Sequence, residues 1–357
     1  MNYRRLGRTG LKVSEIALGS WTTYGGSVDN TEAIAIVRRA FELGINLFDT
    51  ADVYIRGAAE SVLGEALSAL PREQIVIATK CMGRVWDGPL GAGLSRKHIF
   101  DALDQSLKRL RTDYIDLYQL HAPDKDTPIE ETLRAFEDLV RSGKVRYVGY
   151  SNFDRSAPLD RKVLEHQKER GYDGMVSSQP RWNLLDRHVE TGHAALCQKW
   201  GVGMIVYSPL AQGVLTNKYA GMARPEGSRA TSKFAHFLEA EKALTPDNVA
   251  KSERFAAWAT QHGGGTIAQL ALAWVLKHDV VSSAIIGATR IAQLEENVKA
   301  SELKLSAAEW KQAEAAVAGG ARAGKAPRAK TAAKMVAKAG TKAPAKPVRG
   351  KRHRPAR

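Results

Sequence analysis

Asp49, Tyr54, Lys80 and His121 supply a carboxylate, a phenol, an ammonium and an imidazole, and each stands at or just beyond the end of a short apolar run. Together they suit proton transfer to a carbonyl oxygen. A phenol acting as general acid starts from a pKa of about 10, and bringing it to ~7.5 takes roughly 3.4 kcal/mol. An ammonium ~4 Å from the phenol oxygen supplies about 4 kcal/mol at an effective dielectric of ~20. On this reading Lys80 lowers the Tyr54 pKa, and Asp49 keeps Lys80 charged and oriented. His121 then donates a hydrogen bond to the same carbonyl oxygen. Singly, each residue has a plainer use: capping a turn, covering surface, reaching water, or satisfying the loop that continues into Ala122-Pro123. Catalysis becomes the better reading only if neighbouring strands bring all four together.

The elements that must do so are visible as apolar runs. Residues 46–51 (NLFDTA), preceded by Gly44, read as a buried parallel strand with Asp49 near its C-terminal end. Similar runs recur at 15–20, 75–80, 115–121, 145–151, 175–180, 203–209 and 282–288, with helix-like stretches such as 31–43, 99–110, 130–142 and 266–277 between them. Thr31 and Thr266 suit helix N-caps, and Gly44 and Gly143 suit helix ends. Eight β-α units in series predict a (β/α)8 TIM barrel over residues 1–317. The strand ends carry Ser20, Asp49, Lys80, His121, Ser151, Gln179, Tyr207 and Gly287, which such a barrel gathers on its active face. Trp21, Tyr24, Tyr54, Trp86 and Trp182 are candidates to line an apolar substrate mouth, with core packing the alternative for Trp182.

Composition narrows the class. Two cysteines, Cys81 and Cys197, make no disulfide framework and have no metal-ligand spacing, so no metal is expected and a reducing cytoplasm is. The first residues lack the apolar core of a signal peptide, and no run approaches the ~20 apolar residues of a membrane span. The formal charge is +15, but residues 318–357 hold 13 Lys or Arg and no acid, which leaves the body near +2. That Lys/Ala/Pro-rich tail is too poor in apolar side chains to offset its ordering entropy, and disorder is expected. Its partners would be nucleic acid, bound without sequence preference, or another anionic surface; a solvated extension is the equal alternative. Gly263-Gly264-Gly265 lacks the spacing of a dinucleotide fingerprint and reads as a loop.

Asp49-Thr50-Ala51-Asp52-Val53-Tyr54, Lys80, His121 and Gly149-Tyr150-Ser151-Asn152-Phe153 resemble the signature of the aldo-keto reductases over roughly residues 1–310. Residues 93–99, 127–132 and 207–211 are most similar to the potassium-channel β subunits and their microbial and plant relatives. The resemblance implies a (β/α)8 barrel, NADPH/NADP+ as cofactor and reduction of small carbonyl substrates, with Tyr54 the proton donor tuned by Lys80 and Asp49 and with His121 orienting the carbonyl. It implies that Ser151, Asn152 and Gln179 meet the nicotinamide carboxamide, with Asp49 beside them, and that Tyr207 stacks on the ring. Ser208, Pro209, Leu210, Gln212, Lys218 and Arg229 fall with the pyrophosphate, and Ser20 and Trp21 on the opposite rim. Gly287, Thr289, Arg290, Gln293, Glu296 and Asn297 fall with the adenosine end and its 2′-phosphate. Ile55-Arg56-Gly57 follows Tyr54 where the family often has glycine, so the shape of that loop is open. The alternatives are an NADP(H)-sensing subunit with slow turnover and an enzyme tethered to nucleic acid by its tail. Relatives of the channel subunits can assemble, so a homo-oligomer also stays open.

Overall fold

The computed structural model describes residues 1–155 and 158–319, and in it each of the eight apolar runs overlaps a strand. A hairpin of β1 (Tyr3–Arg5) and β2 (Lys12–Ser14) comes first. The barrel strands are β3 (Ile16–Gly19), β4 (Leu47–Asp49), β5 (Val76–Cys81), β6 (Ile115–Leu120), β7 (Val145–Ser151), β8 (Met175–Gln179), β9 (Gly203–Val206) and β10 (Val281–Ile286). They pair in parallel in the closed order β10-β3-β4-β5-β6-β7-β8-β9, a (β/α)8 barrel. Outside it run α1 (Asn30–Glu42), α2 (Ala58–Leu67), α3 (Arg96–Leu110), α4 (Ile129–Arg141), α5 (Leu159–Arg170) and α6 (His193–Trp200). The remaining helices are α7 (His236–Ala240), α8 (Pro246–His262), α9 (Ile267–Leu276), α10 (Ile291–Asn297) and α11 (Ala307–Ala318).

Alternation along each strand decides what reaches the mouth. On β5, Val76 and Ala78 join Leu47, Leu117, Ile205 and Ile285 in an apolar layer inside the barrel, whereas Ile77 and Cys81 pack outward with the helices. Lys80 shares the inward face of Val76 and Ala78 and therefore tops that layer. On β4 the same rule sends Leu47 inward and Phe48 outward, with Asp49 inward at the end of the strand. Gly149 on β7 faces Ser177 so closely that a Cβ there would lie 2.1 Å from the serine oxygen.

The hairpin is absent from the sequence expectations, because three-residue strands give too short a stretch for periodicity to register. It adds Leu6 and Val13 to the inner layer. Its turn presses on the chain entering β9: a Cβ on Gly7 (φ +54°) would sit 2.3 Å from the Gly201 carbonyl oxygen. Helix ends follow their capping chemistry with one correction. Asp29, not Thr31, caps α1, because its carboxylate accepts from the Thr31 and Glu32 backbone N–H groups at 2.8 and 3.4 Å. Thr266 does cap α9, in a reciprocal box with Gln269. Gly44 and Gly143, at φ +88° and +78°, end α1 and α4. No helix among the described residues is long and apolar enough to cross a membrane. The helix α11 closes on Gly319, and the basic tail from residue 320 onward lies outside the described residues.

Candidate active site

Three neighbouring strand ends assemble the quartet: β4 gives Asp49 and, just beyond it, Tyr54; β5 gives Lys80; and His121 follows β6. The fully buried Lys80 Nζ donates to Asp49 Oδ1 at 2.6 Å, to the Thr50 carbonyl oxygen at 2.7 Å and to the Tyr54 hydroxyl oxygen at 3.4 Å. The other Asp49 oxygen accepts from Gln179 Nε2 at 2.8 Å, so β8 fixes the carboxylate from across the barrel. His121 follows β6 and its ring meets that of Tyr54 edge-on, with centroids 5.5 Å apart. Behind Tyr54 the chain takes an unusual route: Ile55 (φ +48°), Arg56 (φ +52°) and Gly57 (φ +89°) make a left-handed turn in place of the glycine-led loop. A β-branched residue in that region is strained, and such strain collects at functional sites.

The electrostatics correct one expectation. The Tyr54 phenol is pushed well above its ordinary pKa, by desolvation first and then by the Asp49, Asp52 and Glu241 carboxylates. Lys80 does not lower it as a lone ammonium would. Its charge is spent on Asp49 at 2.6 Å, so the phenol, farther away at 3.4 Å, meets an ion pair rather than a monopole. Burial likewise pulls the Lys80 pKa down, against the pull of Asp49. His121 is lowered to about 3 by desolvation and by Lys80, and is therefore a neutral imidazole with one N–H to give. The hydrogen-bonding groups of Tyr54 and His121 thus both enter the pH range around neutrality protonated once and uncharged.

These groups stand at one end of a cavity of about 730 Å³. Trp21, Asp49, Tyr54, His121, Ser151, Asn152, Gln179 and Tyr207 line it there; Ser208, Pro209, Leu210, Gln212, Lys218 and Arg229 follow along one side. Gly287, Thr289, Arg290, Gln293, Glu296 and Asn297 also line it. The segment after β9 is bent to expose its backbone, with Ser208, Ala211, Gln212 and Gly213 all at positive φ. Such turns present N–H groups suited to an anion. Lys218, Arg229 and Arg290 stand near enough that Arg229 and Arg290 both lower the Lys218 pKa, after burial. Among the described residues none of these three cations is paired with a carboxylate. Arg229 is held instead by Gln212 Oε1 at 3.1 Å and Thr22 Oγ1 at 2.8 Å, over the Trp21 ring. A donor set of this kind fits a dinucleotide's phosphates.

Some candidates are placed elsewhere. Ser20 is fully buried and its hydroxyl donates to Thr50, so the rim on that side is Gly19, Trp21 and Thr23. Tyr24 is buried away from the cavity. Trp182 packs on Trp274 and His278 and lies outside the mouth. Trp86 stacks obliquely on His98, also off the cavity wall. Two acids were missed. Glu241 lines the cavity from a loop with no readable pattern. Asp52 is fully buried with neither oxygen hydrogen-bonded, and burial pushes its carboxyl well up; its position inside the motif was the only signal.

A parallel barrel whose mouth joins a phenol, an ammonium and a carboxylate to a phosphate-suited channel defines a class of barrel oxidoreductases. The profile of the Aldo/keto reductase family matches residues 15–318, and the chain belongs to that family, whose members reduce carbonyl groups and generally take NAD(P)H. Among its relatives, a probable voltage-gated potassium channel subunit beta from Arabidopsis thaliana is 41% identical over 305 residues, 84% of this chain and 91% of the relative. The L-glyceraldehyde 3-phosphate reductase of Escherichia coli K12 is 39% identical over 328 residues, 90% and 93% of the two chains.

Proposed function

We propose that this chain is an NADPH-dependent reductase of small aldehydes and ketones with Tyr54 as its proton donor, working in the cytoplasm. One observation carries the reading: a single cavity is lined by Asp49, Tyr54 and His121, with Lys80 bonded behind them, and by cations that are unpaired among the described residues. Lys218, Arg229 and the exposed backbone of residues 208–213 would hold the pyrophosphate, and Thr289, Arg290 and Gln293 the 2′-phosphate that separates NADPH from NADH. Ser151, Asn152 and Gln179 would meet the carboxamide beside the Tyr207 ring, whose hydroxyl donates to Asn152 Oδ1 at 2.9 Å. When bound, the cofactor supplies a hydride to the carbonyl carbon.

The protein's own part is to manage the oxygen. Neutral His121 donates a hydrogen bond to the carbonyl oxygen and polarises it. Tyr54, held protonated by its raised pKa, gives its proton to that oxygen as negative charge develops there. The phenolate left behind is met by Lys80, which Asp49 and the Thr50 carbonyl keep aimed at it. Asp49 is therefore a positioning group. The name of the bacterial relative makes phosphorylated hydroxyaldehydes the first substrates to try.

A second reading, a subunit that senses NADP(H) and turns over slowly, draws on the plant relative's name and on the hydrogen bonds that tie the loop after β9 across the channel. One experiment separates the two: NADPH oxidation with a carbonyl panel that includes L-glyceraldehyde 3-phosphate, in wild type and Tyr54→Phe. Turnover that vanishes in the variant while NADPH affinity stays supports the reductase. Tight NADPH binding with no turnover of any panel member replaces it with the sensing subunit.

A further inference from the structure

His188 stands outside the cavity, half-buried, with a carboxylate at each ring nitrogen. Its Nδ1 meets Asp186 Oδ1 at 2.6 Å and its Nε2 meets Asp154 Oδ2. A neutral imidazole has one N–H and one lone pair and can donate to only one of two ionised carboxylates. Both contacts together require the imidazolium.

Two strand ends are joined through that ring. Asp154 lies on the loop after β7, two residues past Asn152, and Asp186 on the loop after β8. The bonding continues: Arg181 donates to Asp186 at 2.7 Å and to Glu241 at 3.0 Å, and Glu241 accepts from Gln212 at 2.6 Å. Gln212 in turn accepts from Arg229, which also donates to Thr22 on the loop after β3. An unbroken chain of charge-assisted hydrogen bonds thus runs from the carboxamide end of the channel, through the loop after β9, to the opposite rim. Gln212, Glu241 and Arg229 line the cavity itself.

We propose that His188 is a positioning residue for cofactor retention: as an imidazolium it anchors this chain of hydrogen bonds over the dinucleotide channel, and loss of its proton loosens the chain and speeds cofactor release. The inference rests on the NADPH reading given above. The groups facing the ring are Asp154 and Arg155 from the loop after β7 and Asp186 and Arg181 from the loop after β8; Arg155 Nη2 lies 3.3 Å from Nδ1. Their balance favours the proton: the bond to Asp154, then that to Asp186, raises the His188 pKa despite burial. The sign follows. The latch is whole below the ordinary imidazole pKa and is lost as pH rises through the raised one.

The test is the dissociation rate of NADPH from the full-length protein, by stopped-flow displacement with excess NADP+, from about pH 6 to about pH 9, a span that starts below the ordinary imidazole pKa of about 6.5. For wild type the rate is expected to be slow and flat at low pH and to rise about tenfold with pH, the scale of one charge-assisted hydrogen bond. His188→Gln is expected to release fast at every pH, and Arg181→Met, which cuts the same chain in its middle, to do likewise. A wild-type rate independent of pH, or a His188→Gln profile that overlays the wild type, overturns the latch. The wild-type profile needs no variant, so poor folding of either variant leaves the test decisive. Failure of wild type to bind NADPH at all would overturn the reductase reading and the latch together, whereas binding with flat release overturns the latch alone.

Discussion

Gln179 and Ser178 are neighbours on β8, and the alternation of the strand sends them into two polar clusters on opposite sides of the barrel wall. Inside, Gln179 secures Asp49 in the quartet. Outside, Ser178 Oγ and His193 Nε2 lie 2.9 Å apart, and His193 Nδ1 lies 2.9 Å from Asp160 Oδ2, between β8 and the helices α5 and α6. Cys197 Sγ is 3.5 Å from the same imidazole. By residue type the outer cluster is the more suggestive of the two, since serine, histidine and aspartate in hydrogen-bonded series are the parts of a nucleophilic hydrolase. Yet Ser178, His193 and Asp160 are 1%, 7% and 3% exposed and line no part of the cavity. The inner cluster leaves Tyr54 and His121 open to a channel. Residue chemistry alone does not make a site; an unfinished hydrogen-bond set facing a cavity does. The sealed cluster is expected to serve stability and the open one turnover.

The sharpest way to break that contrast is Tyr54→Phe. Removing the proton donor is expected to lower kcat by about 10²–10⁴-fold, the range of general acid catalysis. The hydroxyl faces the cavity and its only hydrogen bond among the described residues is the long one from Lys80, so the melting temperature should move little. A variant that melts much earlier but turns over normally would reverse the assignment. Lys80→Met goes further inward. It removes the partner of a buried carboxylate and is expected to cost about 3–5 kcal/mol of stability as well as activity, measured by urea unfolding. Lys80 is therefore where the two roles overlap.

Sequence reasoning reached the inner cluster and not the outer one, for physical reasons. Each inner residue ends an apolar run, and parallel strands of a barrel must bring such ends together, so Asp49, Lys80 and His121 were legible from order alone. Ser178 sits one position before such an end, and Asp160 and His193 lie within helix-like stretches, where nothing in the spacing marks them as neighbours. Bulk misled where pattern was missing: Tyr24 shares the aromatic character of Trp21 but fills the core, and Trp182 takes its core-packing alternative, because which way a loop aromatic turns is set by packing. The direction of the Tyr54 shift failed for a related reason. A lone ammonium lowers a phenol's pKa, whereas the fold supplies an ion pair and burial.

Removing the outer histidine should give the opposite phenotype to Tyr54→Phe. His193→Gln is expected to cost about 1–3 kcal/mol, the scale of a buried hydrogen-bonding partner lost, with kcat and the NADPH affinity kept. Loss of turnover in a folded His193→Gln protein would mean that the outer cluster holds Gln179 in place after all, and the barrel wall would no longer separate the two roles.

The finest test compares two histidines by titration. His193 is raised to about 10: burial opposes its charge, but the bonds to Asp160 and Cys197 prevail. His121 is lowered to about 3 by desolvation, with Lys80 adding to it. The linkage signs are opposite. With an unfolded value near 6.5, His193 contributes stability that is complete below about pH 6.5 and is lost as pH rises towards 10. For His121 the unfolded chain takes up a proton that the folded protein refuses, so its contribution is lost as pH falls from about 6.5 towards 3. Imidazole proton resonances followed by NMR should therefore show neither residue titrating between about pH 5 and about pH 8, where a free imidazole would change state. The dependence of kcat on pH should carry no step from His121 over the same range. A step near pH 6.5 that disappears in His121→Asn would show that the imidazole enters the reaction charged, and the open cluster would then be held together by an ion rather than by a neutral donor.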